Sequence, residues 1–139
     1  MATNKVFPVL YILMRTDLES MNAGKAMAQA SHASNAFVHA WDERDHDSDV
    51  DDLGVKWMTT TKQGFGTVLV LGVNEKQMRI AVEVAQQLQY PAEVIHDPTY
   101  PIRDGEVCHF LPIDTCAYVF MDRNDPIGQS IVKNFPLHP

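Results

Sequence analysis

Three polar residues, Lys25, Gln29 and His32, recur at positions i, i+4 and i+7 of residues 21–40, a spacing that places them on one face of a helix. Lys25 falls in the first turn, where the helix dipole disfavours a cation. Together with the free backbone N–H groups of that turn, it would form a site for a phosphate, a carboxylate or a developing oxyanion. The same spacing also fits a solvated polar face, so spacing alone leaves both interpretations open.

The rest of this segment predicts a closely packed scaffold helix. Asn22 is a suitable N-cap residue, because its side-chain oxygen can accept from the unpaired N–H groups that open a helix. Gly24 is expected to allow close approach. Small residues fill most later positions, namely Ala26, Ala28, Ala30, Ser31, Ala33, Ser34 and Ala36.

The apolar run at residues 6–14, VFPVLYILM, predicts a buried central strand that leads through residues 15–21 into this helix. In open α/β sheets, ligands bind at the carboxyl ends of strands. Asp97 ends a short predicted strand at 92–97 and is therefore a candidate for the same site. Its neighbour His96 should point to the other face, towards a helix layer or solvent.

The remaining pattern predicts one domain over residues 1–139, of class α/β, with a three-layer α/β/α arrangement and a four-stranded mixed sheet. The predicted order is β, α, α, β, α, β, β, α, and the last two strands should be antiparallel. The elements after the first helix are a helix at 50–60, a strand at 66–73, a helix at 74–89 with Leu88 on its inner face, the strand at 92–97, an irregular loop at 98–113, a strand at 115–121 and a helix from 125 to about 133.

Charge is unevenly distributed along the chain. The net charge is −7, but seven of the eighteen acids lie in residues 42–52. The rest of the chain holds eleven acids against ten Lys and Arg and shows no basic stripe. This balance disfavours tight binding of a long polynucleotide. No apolar run is long enough for a membrane span, and the N-terminus lacks the features of a signal peptide, so a cytoplasmic protein is expected.

Metal and cofactor sites are not predicted. Asp45, Asp47 and Asp49 have the spacing of a calcium loop, but Val50 and Lys56 stand where an EF-hand needs glycine and glutamate. The acidic segment 42–52 is instead expected to be a solvated, mobile connection. The two cysteines, Cys108 and Cys116, have no metal-ligand spacing. Cys116 should point to the face opposite Thr115 and lie in the core.

Residues 11–33, YILMRTDLESMNAGKAMAQASHA, resemble the opening of the type 2 peptidyl-tRNA hydrolases. In that family, a strand ending in an arginine and an Asp-Leu pair leads to a helix with Gly-Lys, a glutamine and Ser-His-Ala. The resemblance continues through GTVLVLGV and the strand that reaches Asp97. The C-terminal portion, TCAYVF and IVKNFPL, resembles the small vertebrate peptidyl-tRNA-hydrolase-domain proteins.

The resemblance implies a four-stranded mixed sheet with helices on both sides, often a homodimer, and hydrolysis of the ester between a peptide and the 3′ ribose of tRNA. It assigns catalytic roles to Lys25, Asp97 and Thr115, the last of these if residues 98–113 are an insertion. The predicted partner is a tRNA 3′ end or a nucleotide, with no membrane and no cofactor. The predicted substrate-binding residues are Arg15, Asn22, Gly24, Gln29, Ser31, His32 and Thr99.

Two functional hypotheses remain at this point. In the first, Asp97 orients or deprotonates water, Lys25 and the helix N-terminus stabilise the oxyanion, and Thr115 positions substrate or water. In the second, the chain is a non-catalytic protein that binds a nucleotide or an RNA end in the same pocket. The second hypothesis draws on two departures from the family: Ala23 replaces a basic residue, and Pro98 follows Asp97 in place of Ala-Gly.

Overall fold

The computed structural model describes residues 5–44 and 49–139, and of residues 49–51 it describes the backbone only. The order of elements is the predicted one. The elements are β1 (Pro8–Arg15), α1 (Ala23–Glu43), α2 (Asp49–Met58), β2 (Thr67–Val73), α3 (Glu75–Gln87), β3 (Ala92–Asp104), β4 (Val107–Asp122) and α4 (Pro126–Val132).

The four strands form one mixed sheet in the order β2-β1-β4-β3. β1 pairs in parallel with β2 and antiparallel with β4, and β3 pairs antiparallel with β4. All eight residues of β1 are buried, as expected for the apolar run of a central strand. The predicted α/β class and four-stranded mixed sheet are thus confirmed. The parallel β1–β2 pair brings the carboxyl ends of both strands to the edge where α1 begins.

Two hydrophobic clusters lie on opposite faces of the sheet. On the α1 and α2 face, Phe37 packs edge-on against Trp57, with ring centroids 5.4 Å apart, and also against Phe120 at 4.6 Å. On the α3 and α4 face, Met78 and Val132 belong to the other cluster. The sheet, with one helix layer packed on each face through these clusters, forms the predicted three-layer arrangement.

The helices differ from the prediction mainly at their ends. α1 continues through Glu43 and α2 begins at Asp49, so both helices extend into the acidic segment 42–52. Of the mobile connection expected at 42–52, residues 42–43 and 49–52 are instead helical, and residues 45–48 lie outside the described residues. Leu88 was predicted to face inward, but it is the C-cap of α3 and is 47% exposed. Among the residues described, no helix is both long and apolar enough to cross a membrane.

The predicted irregular loop at 98–113 is wrong, because β3 and β4 form one long hairpin through this region. Prolines usually exclude a central strand, but Pro98 and Pro101 lie on the edge strand β3. Pro112 lies in β4 before its pairing with β1 begins at Cys116. The predicted turn at Asp104-Gly105 is where the hairpin reverses, with Gly105 at φ 62°. Thr115 therefore lies within β4 and does not open it.

Candidate functional site

The N-terminus of α1 forms one side of the candidate site. Asn22 is its N-cap, as predicted, and its side-chain oxygen accepts from the backbone N–H of Lys25 at 2.9 Å. Gly24 is exposed, and a Cβ there would meet only the Asn22 side chain, at 3.6 Å. Close packing therefore does not require glycine at position 24. Lys25 is half-buried in the first turn, where its charge adds to that of the helix dipole.

Gln29 lies one turn further along α1 and is the centre of a buried hydrogen-bond chain. Its side chain is 2% exposed. Its Nε2 donates to Asp97 Oδ2 at 2.6 Å, and its Oε1 accepts from Thr115 Oγ1 at 2.6 Å. An ionised carboxylate can only accept, so Asp97 fixes which end of the Gln29 amide faces it. The two hydrogen bonds therefore run in one direction: the Thr115 hydroxyl donates to the Gln29 amide, and the amide donates to the Asp97 carboxylate.

A β-bulge directs Thr115 towards Gln29. Ile95 pairs with Cys116 and His96 pairs with Asp114, so Thr115 is an extra residue in β4. As a result Thr115 and Cys116 both contact Gln29, the Cys116 Sγ donating to its backbone carbonyl at 3.5 Å. The prediction that Cys116 points away from the Thr115 face is wrong, although its core position is correct. Burial raises the pKa of the Cys116 thiol to about 12, so it stays protonated at neutral pH.

Asp97 is 7% exposed and hydrogen-bonded at both oxygens. Its Oδ1 accepts from the Thr99 backbone N–H at 2.9 Å and from the Thr99 hydroxyl at 3.3 Å. Burial acts to raise the pKa of Asp97, but the hydrogen bonds from Gln29 and Thr99 and the charge of His32 outweigh it, and the net direction is downward. Asp97 is therefore an anion at neutral pH.

His96 points away from this site, as strand alternation predicts. It is exposed, and its Nδ1 lies 2.8 Å from Asp114 Oδ1 on the other face of the sheet. The bulge at Thr115 explains why Asp114 lies on that face, where Arg79 of α3 also contacts it at 2.7 Å. The adjacent His96 and Asp97 therefore belong to different clusters.

Arg15, predicted to bind substrate, is 8% exposed and makes its contacts inside the protein. Its Nε donates to Asp17 Oδ1 at 2.9 Å, and its Nη2 lies 3.3 Å from Glu75 Oε2. Its Nη1 donates to the backbone carbonyl of Asp114 at 3.0 Å, directly before Thr115. Arg15 thus holds the bulge through the Asp114 carbonyl, and its guanidinium is paired with carboxylates of the protein itself.

The remaining predicted residues are exposed. Ser31 and His32 are exposed on α1, and Thr99 is exposed on β3 while its hydroxyl contacts Asp97. The structure therefore brings Lys25, Gln29, Asp97, Thr99 and Thr115 into one region. Within residues 5–44 and 52–139, no group of three His, Cys, Asp or Glu side chains is placed to hold a metal ion.

Sequence reasoning missed Tyr100, which is fully buried beside Lys25. The Lys25 Nζ lies 5.0 Å from the centroid of the Tyr100 ring, and the Tyr100 hydroxyl is 3.1 Å from Ser20 Oγ. The sequence placed Tyr100 in an irregular loop, so no alternation pattern was available to assign its face.

Replacing Thr115 with valine should destabilise the fold by about 1–3 kcal/mol, because the buried Gln29 Oε1 loses its donor while the shape of the side chain is kept. Urea unfolding measures this change. Thr60→Val is a suitable control, since the Thr60 hydroxyl bonds to Lys56 O at an exposed site and its loss should change the free energy of unfolding by less than about 0.5 kcal/mol. Equal effects of the two substitutions would contradict the structural role of the Thr115 hydroxyl.

Comparisons with known proteins place the chain in a family. A model of the family described as peptidyl-tRNA hydrolase PTH2 matches residues 8–116, which include β1, α1 and the Asp97–Gln29–Thr115 chain. No curated protein matches the chain. Among solved structures, a protein of unknown function from Agrobacterium tumefaciens strain C58 is 12% identical, with a TM-score of 0.48 over 95% of this chain and 98% of that one. Because the family model covers most of the chain, this protein belongs to the type 2 peptidyl-tRNA hydrolase family.

Proposed function

We propose that this protein hydrolyses the ester between a peptide and the 3′ ribose of tRNA, at a site formed by Lys25, Gln29 and Asp97. The observation that carries the proposal is the buried chain from Thr115 through Gln29 to an anionic Asp97, close to the first turn of α1. Burying an ionised carboxylate and a glutamine amide together costs desolvation energy. Buried polar groups of this kind are typical of a functional site, and here the Lys25 ammonium and the N-terminus of α1 lie beside them.

Lys25 supplies the charge that the reaction needs. When water attacks an ester carbonyl, negative charge develops on the carbonyl oxygen, and donors already aimed at that oxygen lower the barrier. In the described part of the chain, no carboxylate lies within 4 Å of the Lys25 ammonium. The ammonium therefore remains available for an oxyanion, and the N-terminus of α1 adds positive potential at the same place.

Asp97 holds the attacking water in this mechanism. A carboxylate offers about four acceptor positions. Gln29 and the two Thr99 donors use three of them, which leaves one for a water molecule. The water's oxygen forms the new bond to the carbonyl carbon, the bond between that carbon and the 3′ oxygen breaks, and a water proton passes by way of Asp97 to the departing 3′ oxygen. Because the pKa of Asp97 is lowered, it is a weak base and contributes chiefly by orienting the water.

Thr115 and Arg15 act on substrate indirectly in this proposal. Thr115 is 0% exposed and its hydroxyl donates to Gln29, so it positions the amide. Arg15 holds the Asp114 carbonyl and thereby the bulge that carries Thr115. Ser31 and His32 remain the proposed contacts to the tRNA end, because both are exposed on α1. A cytoplasmic location and a homodimer belong to the same proposal.

The acidic residues at the end of α1 are compatible with a tRNA end at Lys25 because they lie far from it. Glu43, the last residue of α1, lies eighteen residues after Lys25 along the helix, which at 1.5 Å per residue is about 27 Å. At physiological ionic strength, exposed charges are screened over about 8 Å. Asp42 and Glu43 therefore repel the body of a bound RNA more than its 3′ end. Contact limited to the 3′ end fits the absence of a basic stripe in the sequence.

The test is release of the blocked amino acid from N-acetyl-aminoacyl-tRNA by the purified protein. We expect release, and we expect the same tRNA with a free amino group to be a poorer substrate, since the blocked form mimics a peptide. A folded protein that releases nothing would overturn the proposal.

The alternative is a non-catalytic protein that holds a nucleotide or an RNA end at Lys25. One observation favours it: the hydrogen bonds from Gln29 and Thr99 make Asp97 a poor base. Titration calorimetry with adenosine 5′-monophosphate, as a stand-in for a terminal nucleotide, tests this alternative. It predicts binding that Lys25→Ala removes, without turnover of any tRNA ester.

A further inference from the structure

Tyr100 occupies its position because of an irregularity in β3. Asp97 pairs with Ile113, and Tyr100 pairs with Leu111, so β3 carries one residue more than β4 between the two pairs. In a regular strand, Asp97 and Tyr100 would point to opposite faces, because they are three residues apart. The extra residue brings both side chains to the α1 face, and Tyr100 becomes one of the largest fully buried side chains.

The two ends of the Tyr100 side chain contact two parts of the candidate site. The ring lies against Lys25, with the Nζ 5.0 Å from its centroid, which is within the range of a cation–π contact. The hydroxyl is 3.1 Å from Ser20 Oγ and 3.8 Å from Met21 Sδ, in the loop that leads into α1. One side chain therefore contacts both the lysine and the loop that presents it.

A contact of this kind can offset an entropy cost, because a lysine side chain is flexible and loses rotamer entropy when it is held in one position. Within the described residues, no carboxylate lies within ion-pair distance of its ammonium, so no salt bridge there holds it. An aromatic face holds an ammonium without neutralising its charge. The ring of Tyr100 can thus orient Lys25 and leave the charge available for an anion.

We propose that Tyr100 is the positioning residue of Lys25, its ring fixing the ammonium over the site and its hydroxyl fixing the loop before α1. The effect on turnover rests on the proposed hydrolase function, whereas the effect on Lys25 itself does not. Losing the ring should lower kcat by about 2- to 30-fold, the range expected for a cation–π contact, with KM little changed.

The experiment compares Tyr100→Phe, which keeps the ring and loses the hydroxyl, with Tyr100→Leu, which loses both. The first readout is the NMR shift of the Lys25 side-chain methylene protons, assigned by their disappearance in Lys25→Arg. Protons over a ring face move upfield, so we expect an upfield shift in the wild type and in Tyr100→Phe that is absent in Tyr100→Leu. The second readout is the separate measurement of kcat and KM.

Tyr11 provides the matched control. It is also a buried tyrosine, at 5% exposed, and its hydroxyl accepts from Gln129 Nε2 at 2.9 Å on the α3 and α4 face. Tyr11→Phe and Tyr11→Leu make the same chemical changes away from Lys25. We expect them to change the free energy of unfolding without moving the Lys25 signals.

The outcomes are distinct. Lys25 methylene signals at unshifted positions in the wild type would overturn the proposal, even if Tyr100→Leu failed to fold. So would signals that stay the same in a folded Tyr100→Leu. If the wild type shows the upfield shift but hydrolyses no tRNA ester, the proposed function fails while the positioning of Lys25 by Tyr100 stands.

Discussion

Lys25→Ala is expected to lower kcat for N-acetyl-aminoacyl-tRNA by about 10²–10³-fold, the loss typical of removing one oxyanion-stabilising donor. The fold should remain, because Lys25 is half-buried and its own backbone N–H keeps its bond to the Asn22 cap. KM should change much less, since the developing oxyanion exists only in the transition state. Steady-state kinetics with the purified variant measures both constants.

Lys62→Ala is the matched control for charge. Lys62 is exposed in the turn between α2 and β2, away from the candidate site, so its loss changes the net charge by the same amount. We expect kcat within about twofold of the wild type, because exposed charges beyond a Debye length are largely screened. A similar loss of kcat in both variants would show that Lys25 acts through general charge and would contradict its assignment to the oxyanion.

Asp97→Asn is expected to lower both turnover and stability. An asparagine offers one oxygen and one NH₂ group, so it cannot accept from Gln29 Nε2 at one end and from Thr99 N at the other. One buried donor then faces another donor, which should cost about 1–3 kcal/mol of unfolding free energy. The water also loses an anionic acceptor, and kcat should fall by about 10²–10⁴-fold, the range for general acid–base catalysis.

The pH dependence of stability gives Asp97→Asn a second signature. The pKa of Asp97 is lower in the folded protein than the usual value of 3.8, so its anion stabilises the fold above that value. This stabilisation is lost as the pH falls through the folded pKa. The free energies of unfolding of the wild type and Asp97→Asn, measured in urea, should therefore differ most at neutral pH and converge as the pH falls through the folded pKa of Asp97. As a control, Asp104→Asn, at an exposed site in the hairpin turn, should leave the free energy of unfolding within about 0.5 kcal/mol of the wild type.

The sequence predicted which helix carries the site residues better than it predicted how deeply each side chain is buried. The spacing of Lys25, Gln29 and His32 correctly placed them on one helix, but the three differ in exposure, from a half-buried lysine to a buried glutamine and an exposed histidine. Helical periodicity cannot distinguish these cases, because the depth of each side chain depends on the strands that pack against α1. The N-cap at Asn22 was predictable, since capping depends on neighbouring residues alone.

The hairpin and its irregularities could not be predicted from local patterns. Pro98 and Pro101 favour a loop, and only the edge position of β3 makes them compatible with a strand. The bulge at Thr115 and the extra residue before Tyr100 depend on pairing between residues far apart in sequence. Both features change which face a side chain occupies, and both affect the candidate site. The errors about Cys116 and Tyr100 therefore have one physical cause.

The most direct test of the central claim is the rate of ester hydrolysis on N-acetyl-aminoacyl-tRNA by the wild type, Lys25→Ala and Asp97→Asn, measured side by side with each protein shown to be folded. We expect turnover by the wild type and a loss of at least about 10²-fold in each variant. Turnover that is equal in all three proteins would contradict the assignment of the site, and its absence from a folded wild type would contradict the hydrolase itself.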